Sequence, residues 1–188
     1  MKSKTNKIVK MAMLCALSIV LMLLIRFPII PAAPYLEYEP ADVPILVGGF
    51  LYGPISALIL TVAVSLIQSL TVSASSGWVG FIMHIISTGT FVLVASFIYK
   101  KFHTNLGATI ALILGCICMT LIAIPLNLFF TVRFWGIPHK VVVNMIPTVI
   151  IPFNLIKSGI NSVATIVVYK AIERIISVDK PFNKQIGN

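Results

Sequence analysis

The chain has 188 residues, 59% of them hydrophobic and 10% charged, with a formal net charge of +9 and a mean hydropathy of +1.04. Soluble domains carry about a quarter charged residues, so this composition excludes a soluble enzyme and defines an integral membrane protein. The length suits a single transmembrane domain over 1–188 and leaves no room for an added catalytic domain; the basic residues gather at the ends of apolar runs, which speaks for membrane topology and against nucleic acid as partner.

The first apolar run, Ile8 to Ile25, follows Lys2, Lys4, Lys7 and Lys10. It is too long for a secretory signal and reads as a retained helix. Ala41 to Tyr52, entered from Pro40 and containing Gly48 and Gly49, reads as a short helix, ended by the turn "YGP" at 52–54. A third helix runs from Ile55 to Val72 and closes at "SASSG". The fourth extends from about Gly80 to Tyr99 and stops at Lys100 and Lys101; the fifth, from about Leu106 to Val132, carries a kink at Pro125. The sixth occupies about Thr148 to Ile176. The expected fold is an all-α integral membrane protein, a six-helix transmembrane bundle with a long outer loop, 27–44, between helices 1 and 2.

Loop charge orients this bundle, because lysine and arginine favour the cytoplasmic side. With the N-terminus inside, the four N-terminal lysines, Lys100, Lys101, Lys170, Arg174, Lys180 and Lys184 all lie inside, and only Arg26, Arg133 and Lys140 flank the outer face. The expected localisation is the cell membrane, multi-pass, with both termini cytoplasmic. Trp78 and Trp135 then fall at outer helix ends, as interfacial anchors or parts of a pocket rim, anchoring being the ordinary role. Cys15, Cys116 and Cys118 lie inside apolar runs as small hydrophobes, and no disulfide framework or metal pattern is visible.

The stretch "IIPFNLIKSGINSVATIVVYK" holds the most informative residue, Lys157. Counted from Thr148 at about 1.5 Å per residue, it lies roughly 14 Å deep in a hydrocarbon layer about 30 Å thick. An unpaired lysine there costs about 3 kcal/mol. Asn154, Lys157, Ser158, Asn161 and Thr165 share one helical stripe. Interhelical hydrogen bonding accounts for Ser158, Asn161 and Thr165, but not for a lysine when the other charged residues all lie in loops or at helix ends. Glu37, Glu39 and Asp42 are the outer acids. Two arrangements satisfy the ammonium: an acid from the outer loop folded into the bundle, or an acceptor-rich ligand entering from outside. Both require a polar cavity open to the outer face.

No GxxxxGK[ST] phosphate loop occurs, so ATP is not hydrolysed by this chain. No buried Asp or Glu is expected to carry a coupling ion, and inverted repeats are not evident. Enzymatic turnover is not expected, since no catalytic base, nucleophile or metal cluster is visible; His84 reads as a hydrogen-bonded core histidine. Ala12 and Ala16, four apart on the first helix, form a small-xxx-small face on which another helix can approach closely. Gly107, Ala111 and Gly115 carry the same spacing and read as internal packing.

The Ala12/Ala16 pair behind a basic N-terminus, the block "EYEPADVPILVGGFLYGP" at 37–54 and the block "IPFNLIKSGIN" at 151–161 together resemble the riboflavin-binding S components of energy-coupling factor (ECF) vitamin transporters. The resemblance extends over nearly the whole chain. It implies a six-helix bundle that captures riboflavin from outside under the loop joining the first two helices. It also implies docking through Ala12 and Ala16 onto a membrane coupling subunit served by two cytoplasmic ATPases, and hydrogen bonds from Asn154 and Lys157 to the vitamin.

Riboflavin is a transported ligand in this reading, and no cofactor is implied. Its flat apolar ring, uracil-like edge and hydroxyl chain call for an apolar slot, amide groups and a strong donor. Asn127 is a further polar candidate, Trp78, Tyr38 and Phe153 are candidates for the slot, and Glu39 or Asp42 is expected to hold Lys157 when the site is empty. A stand-alone facilitator or secondary transporter would use the same pocket without ATPases; an S component for another vitamin is the rival within the family, and a membrane enzyme acting on lipid head groups the rival outside it.

Overall fold

A computed structural model describes residues 2–31, 33 and 36–178. Lys180 and Lys184 of the expected cytoplasmic tail, and residues 32, 34 and 35 of the expected outer loop, lie outside the described residues. Helix α1 spans Lys2–Leu24 and ends in a short antiparallel pairing of β1, Phe27–Pro28, with β2, Glu37–Tyr38. Helix α2, Asp42–Tyr52, is followed after one residue by α3, Pro54–Leu70. Gly53 makes that break with φ 89°, a conformation in which other residues are strained, and Pro54 starts the next helix where its missing N–H has no partner to lose.

A 3-10 turn at Ala74–Ser76 leads into α4, Gly77–Lys101. Helix α5, Asn105–Leu126, begins at Thr104, whose hydroxyl accepts from the Gly107 amide at 2.9 Å. Among the described residues, four helical segments are long and apolar enough to cross a membrane: Thr5–Leu24, Ala74–Lys101, Asn105–Thr131 and His139–Ile172. Helices α2 and α3 are apolar but shorter. Large hydrophobic side chains such as Ile8, Met13, Ile55 and Leu121 face outward, as a lipid-facing surface requires.

Helix α2 is the centre of the packing. Every residue from Asp42 to Phe50 is buried, which explains why its sequence is apolar without a polar stripe. Gly49 allows the closest approach, since a Cβ there would collide with the Ser96 hydroxyl of α4 and press on Ala57 of α3. Phe50 stacks on Tyr99 with ring centres 4.3 Å apart, tying α2 to the far end of α4.

The last span differs from the expected Thr148 start. It begins with α6, His139–Met145, widens into a π-helical turn at Ile146–Ile150 and continues as α7, Ile151–Val178. A second widened turn, Asn127–Thr131, follows Pro125 at the end of α5. Both lie close to prolines, Pro125 in one case and Pro147 and Pro152 in the other. A proline withholds an N–H from the helical ladder, and a widened turn lets the helix continue past it.

Candidate functional site

The site begins with two local devices. The connection between α1 and α2 is pinned by Arg26, which pairs with Glu37 of β2 and donates to the Val72 carbonyl in the turn after α3. Asp42 occupies the first turn of α2, where the helix N-terminus favours a carboxylate. Together they draw the segment "YEPAD", 38–42, into the bundle, where Glu39 and Asp42 are almost wholly buried.

Glu39 meets three partners there. Its Oε1 lies 3.3 Å from Lys157 Nζ of α7, accepts from Gln68 Nε2 of α3 at 2.6 Å and lies 3.6 Å from His84 Nε2 of α4. Asp42 accepts from Thr88 Oγ1 at 3.3 Å and from Asn161 Nδ2 at 3.1 Å. Tyr38 donates to Asn161 Oδ1 at 3.0 Å, and His84 Nδ1 lies 2.7 Å from Ser65 Oγ. The first of the two arrangements open to Lys157, a loop acid folded into the bundle, is therefore the one observed. Glu39 sits in the connection ahead of α2; burial opposes its ionisation, but the Lys157 charge, with help from His84 and Gln68, holds its carboxyl well below the usual carboxylate range.

Beside this network opens a cavity of about 500 Å³, within the range of small-molecule sites. Glu39, Asn127, Phe153, Asn154 and Lys157 line it. Both widened turns contribute walls, the first through Asn127 and Thr131, the second through Ile150. Asn127 Nδ2 donates to the Ala123 carbonyl and Asn154 Nδ2 to the Ile150 carbonyl, both at 2.8 Å, so each amide is held in one orientation by its own helix. Phe153, Met119 and Leu126 supply apolar surface.

Two slot candidates lie elsewhere. Trp78 is more than half exposed and packs edge-on against Phe134, and it does not line the cavity. Tyr38 is buried behind it, with its hydroxyl committed to Asn161. Trp135 lines the cavity instead. His84 and Gln68 line the cavity as well, and their spacing carried a signal. Ser65 and Gln68 on α3, and likewise His84 and Thr88 on α4, recur at three or four residues, which puts each pair on one face of its helix. Ala12 and Ala16 lie on the exposed side of α1, away from this cavity.

Fold and site together define a membrane-embedded binding protein, a helical bundle around a cavity that combines a buried ion pair, oriented amides and an apolar wall. The chain belongs to the substrate-specific component family of ECF transporters, whose profile matches residues 6–169. It is 30% identical over 135 residues to the riboflavin transporter RibU of Lactococcus lactis subsp. cremoris strain NZ9000, a match covering 71% of this chain and 66% of that protein. It is 28% identical to the riboflavin transporter FmnP of Bacillus subtilis strain 168, covering 82% of this chain and 85% of the relative. To the riboflavin transporter RibU of Streptococcus thermophilus it is 28% identical, over 93% of this chain and 86% of the relative. A solved S component of a bacterial ECF transporter superposes with a TM-score of 0.80 at 29% identity, covering 92% of this chain and 98% of that one.

Proposed function

We propose that this chain is the riboflavin-capturing subunit of an ECF importer. The observation that carries the reading is the meeting of Lys157, Asn154 and Asn127 in one cavity with an apolar wall. That set offers amide and ammonium donors to ring carbonyls and hydroxyls, and an apolar surface to the flat ring. The names of its relatives support the same ligand.

In this reading the whole chain is one transmembrane domain of six passes, formed by α1, α2, α3, α4, α5 with its widened turn, and the continuous α6–α7 span. Both termini are cytoplasmic and the cavity opens outward beneath the connection between α1 and α2. The basic clusters Lys7, Lys10, Lys100 and Lys101 support that orientation. Ala12 and Ala16 form the docking face for a membrane coupling subunit, and two cytoplasmic ATPases supply the energy. Riboflavin is carried without chemical change.

Purified protein in detergent, stripped of flavin and titrated with riboflavin, tests this. Saturable quenching of flavin fluorescence at one site per chain is expected. Fluorescence unaffected at micromolar flavin overturns the ligand assignment.

A further inference from the structure

A second opening, a groove of about 1100 Å³, lies toward the opposite end of α3 from the cavity and shares none of its lining residues. Met11 and Cys15 of α1, Phe50 of α2, Ile59 and Ala63 of α3 and Phe97 of α4 form its apolar wall. Ile59 and Phe97 are more than half exposed, so the groove opens on the surface that faces lipid. Along α1 it runs from Lys7 to Cys15, about 12 Å of helix rise. One leaflet of a hydrocarbon layer about 30 Å thick is about 15 Å deep. The groove therefore has the length of an acyl chain's path through most of one leaflet.

Its charges sit at one end. Lys7 precedes the apolar run of α1, Lys100 and His103 stand at and just beyond the end of α4, and all three line the groove. Lys7 Nζ lies 5.8 Å from the centre of the Tyr52 ring, which sets it beside the break between α2 and α3. No Asp or Glu lines the groove, and among the described residues no carboxylate pairs with Lys7 or Lys100. An apolar trench ended by two uncompensated ammonium groups fits an amphiphile with a negative head and an alkyl tail. A neutral head leaves the lysines unpaired, and a water-soluble anion leaves the trench unfilled. Basic pockets between helices at a membrane surface hold anionic headgroups in this way.

We propose that this groove binds one anionic phospholipid, with an acyl chain lying along α1 and α3, the phosphate held between Lys7 and Lys100, and His103 as a further donor. The site is independent of the riboflavin reading. Ala12 also lines the groove, so the lipid is an occupant of the subunit when no other helix covers that side of α1.

The full chain, delipidated in neutral detergent, is titrated with phosphatidylglycerol and with phosphatidylcholine, and bound lipid is counted by native mass spectrometry. Wild type is expected to hold one phosphatidylglycerol and to prefer it over phosphatidylcholine by roughly tenfold or more, since each lysine near a membrane surface contributes about fivefold. Lys7→Gln combined with Lys100→Gln is expected to remove most of that preference. Lys10→Gln combined with Lys101→Gln removes the same charge from the same two helices, but from side chains that do not line the groove, and is expected to keep it. Equal losses in the two double variants would mean diffuse attraction by surface charge and overturn the site, as would wild type without a preference. Glycerol phosphate, a headgroup without chains, is expected not to displace the lipid at millimolar concentration; displacement by it would assign the groove to a soluble anion and overturn the lipid. All four lysines are exposed, so both double variants are expected to fold, and their thermal midpoints in lipid-free detergent check this.

Discussion

Lys157 Nζ and Glu39 Oε1 lie 3.3 Å apart although 118 residues separate them in the chain. The pair joins the second turn of α7 to the connection ahead of α2, and both side chains are buried. Removing one partner of a buried pair leaves the other uncompensated and costs about 3–5 kcal/mol. Gln68 and His84 remain beside Glu39 to soften that loss.

Lys157→Met is therefore expected to lower the thermal midpoint in detergent and to weaken flavin binding by tenfold or more. Adding Glu39→Gln to it removes the stranded charge and is expected to restore most of the midpoint but not the binding. A double mutant no more stable than Lys157→Met would deny the pair any coupling.

Acid should act on this pair late. Glu39 is held below its ordinary value of 4.5 in the folded state, so its stabilising contribution is complete above that pH and is lost only as pH falls through the depressed folded value. The difference in midpoint between wild type and Glu39→Gln is expected to stay constant from pH 8 to about 5 and to narrow below about 4.5. A difference that closes between pH 7 and 5 would assign the titration to another group.

Packing at Gly49 gives a test of the fold independent of ligand. Val at this position drives side-chain carbons into Ser96 and Ala57, and overpacking of this kind costs about 1–3 kcal/mol. Gly49→Val is expected to lose stability in a thermal or denaturant series. An unchanged midpoint would mean that α2 and α4 separate readily.

Ala16 is exposed on α1 and belongs to the proposed docking face. Ala16→Phe is expected to leave riboflavin titrations unchanged while abolishing flavin uptake in cells that express the coupling subunit and ATPases. Uptake at wild-type levels would overturn the proposed docking face.

Much of the site's local chemistry can be read along the chain. Asn154 and Lys157 are three residues apart, and helical periodicity alone puts them on one face. That Lys157 needs a partner follows from its place inside an apolar run, whereas the depth counted from Thr148 does not stand, because the last span begins at His139. The blocks at 37–54 and 151–161 carry the resemblance to the family that the profile match over residues 6–169 shows. The membrane itself is legible in the composition, since only a chain solvated by lipid can afford so few charges.

Tertiary structure alone decided how these faces meet. Glu39 was one of two acids able to answer Lys157, and the choice depends on how far the Arg26-pinned connection descends and on where α2 starts. His84 reads as a core histidine in isolation; it becomes part of the site because α4 turns it toward Glu39. Trp78 and Trp135 are equivalent as sequence, both at helix ends, yet only Trp135 lines the cavity. The reason is physical: helical periodicity relates residues three or four apart, whereas relations between helices depend on crossing angles, on the widened turns near prolines and on glycine contacts such as Gly49 with Ser96, which appear only once the whole bundle has packed.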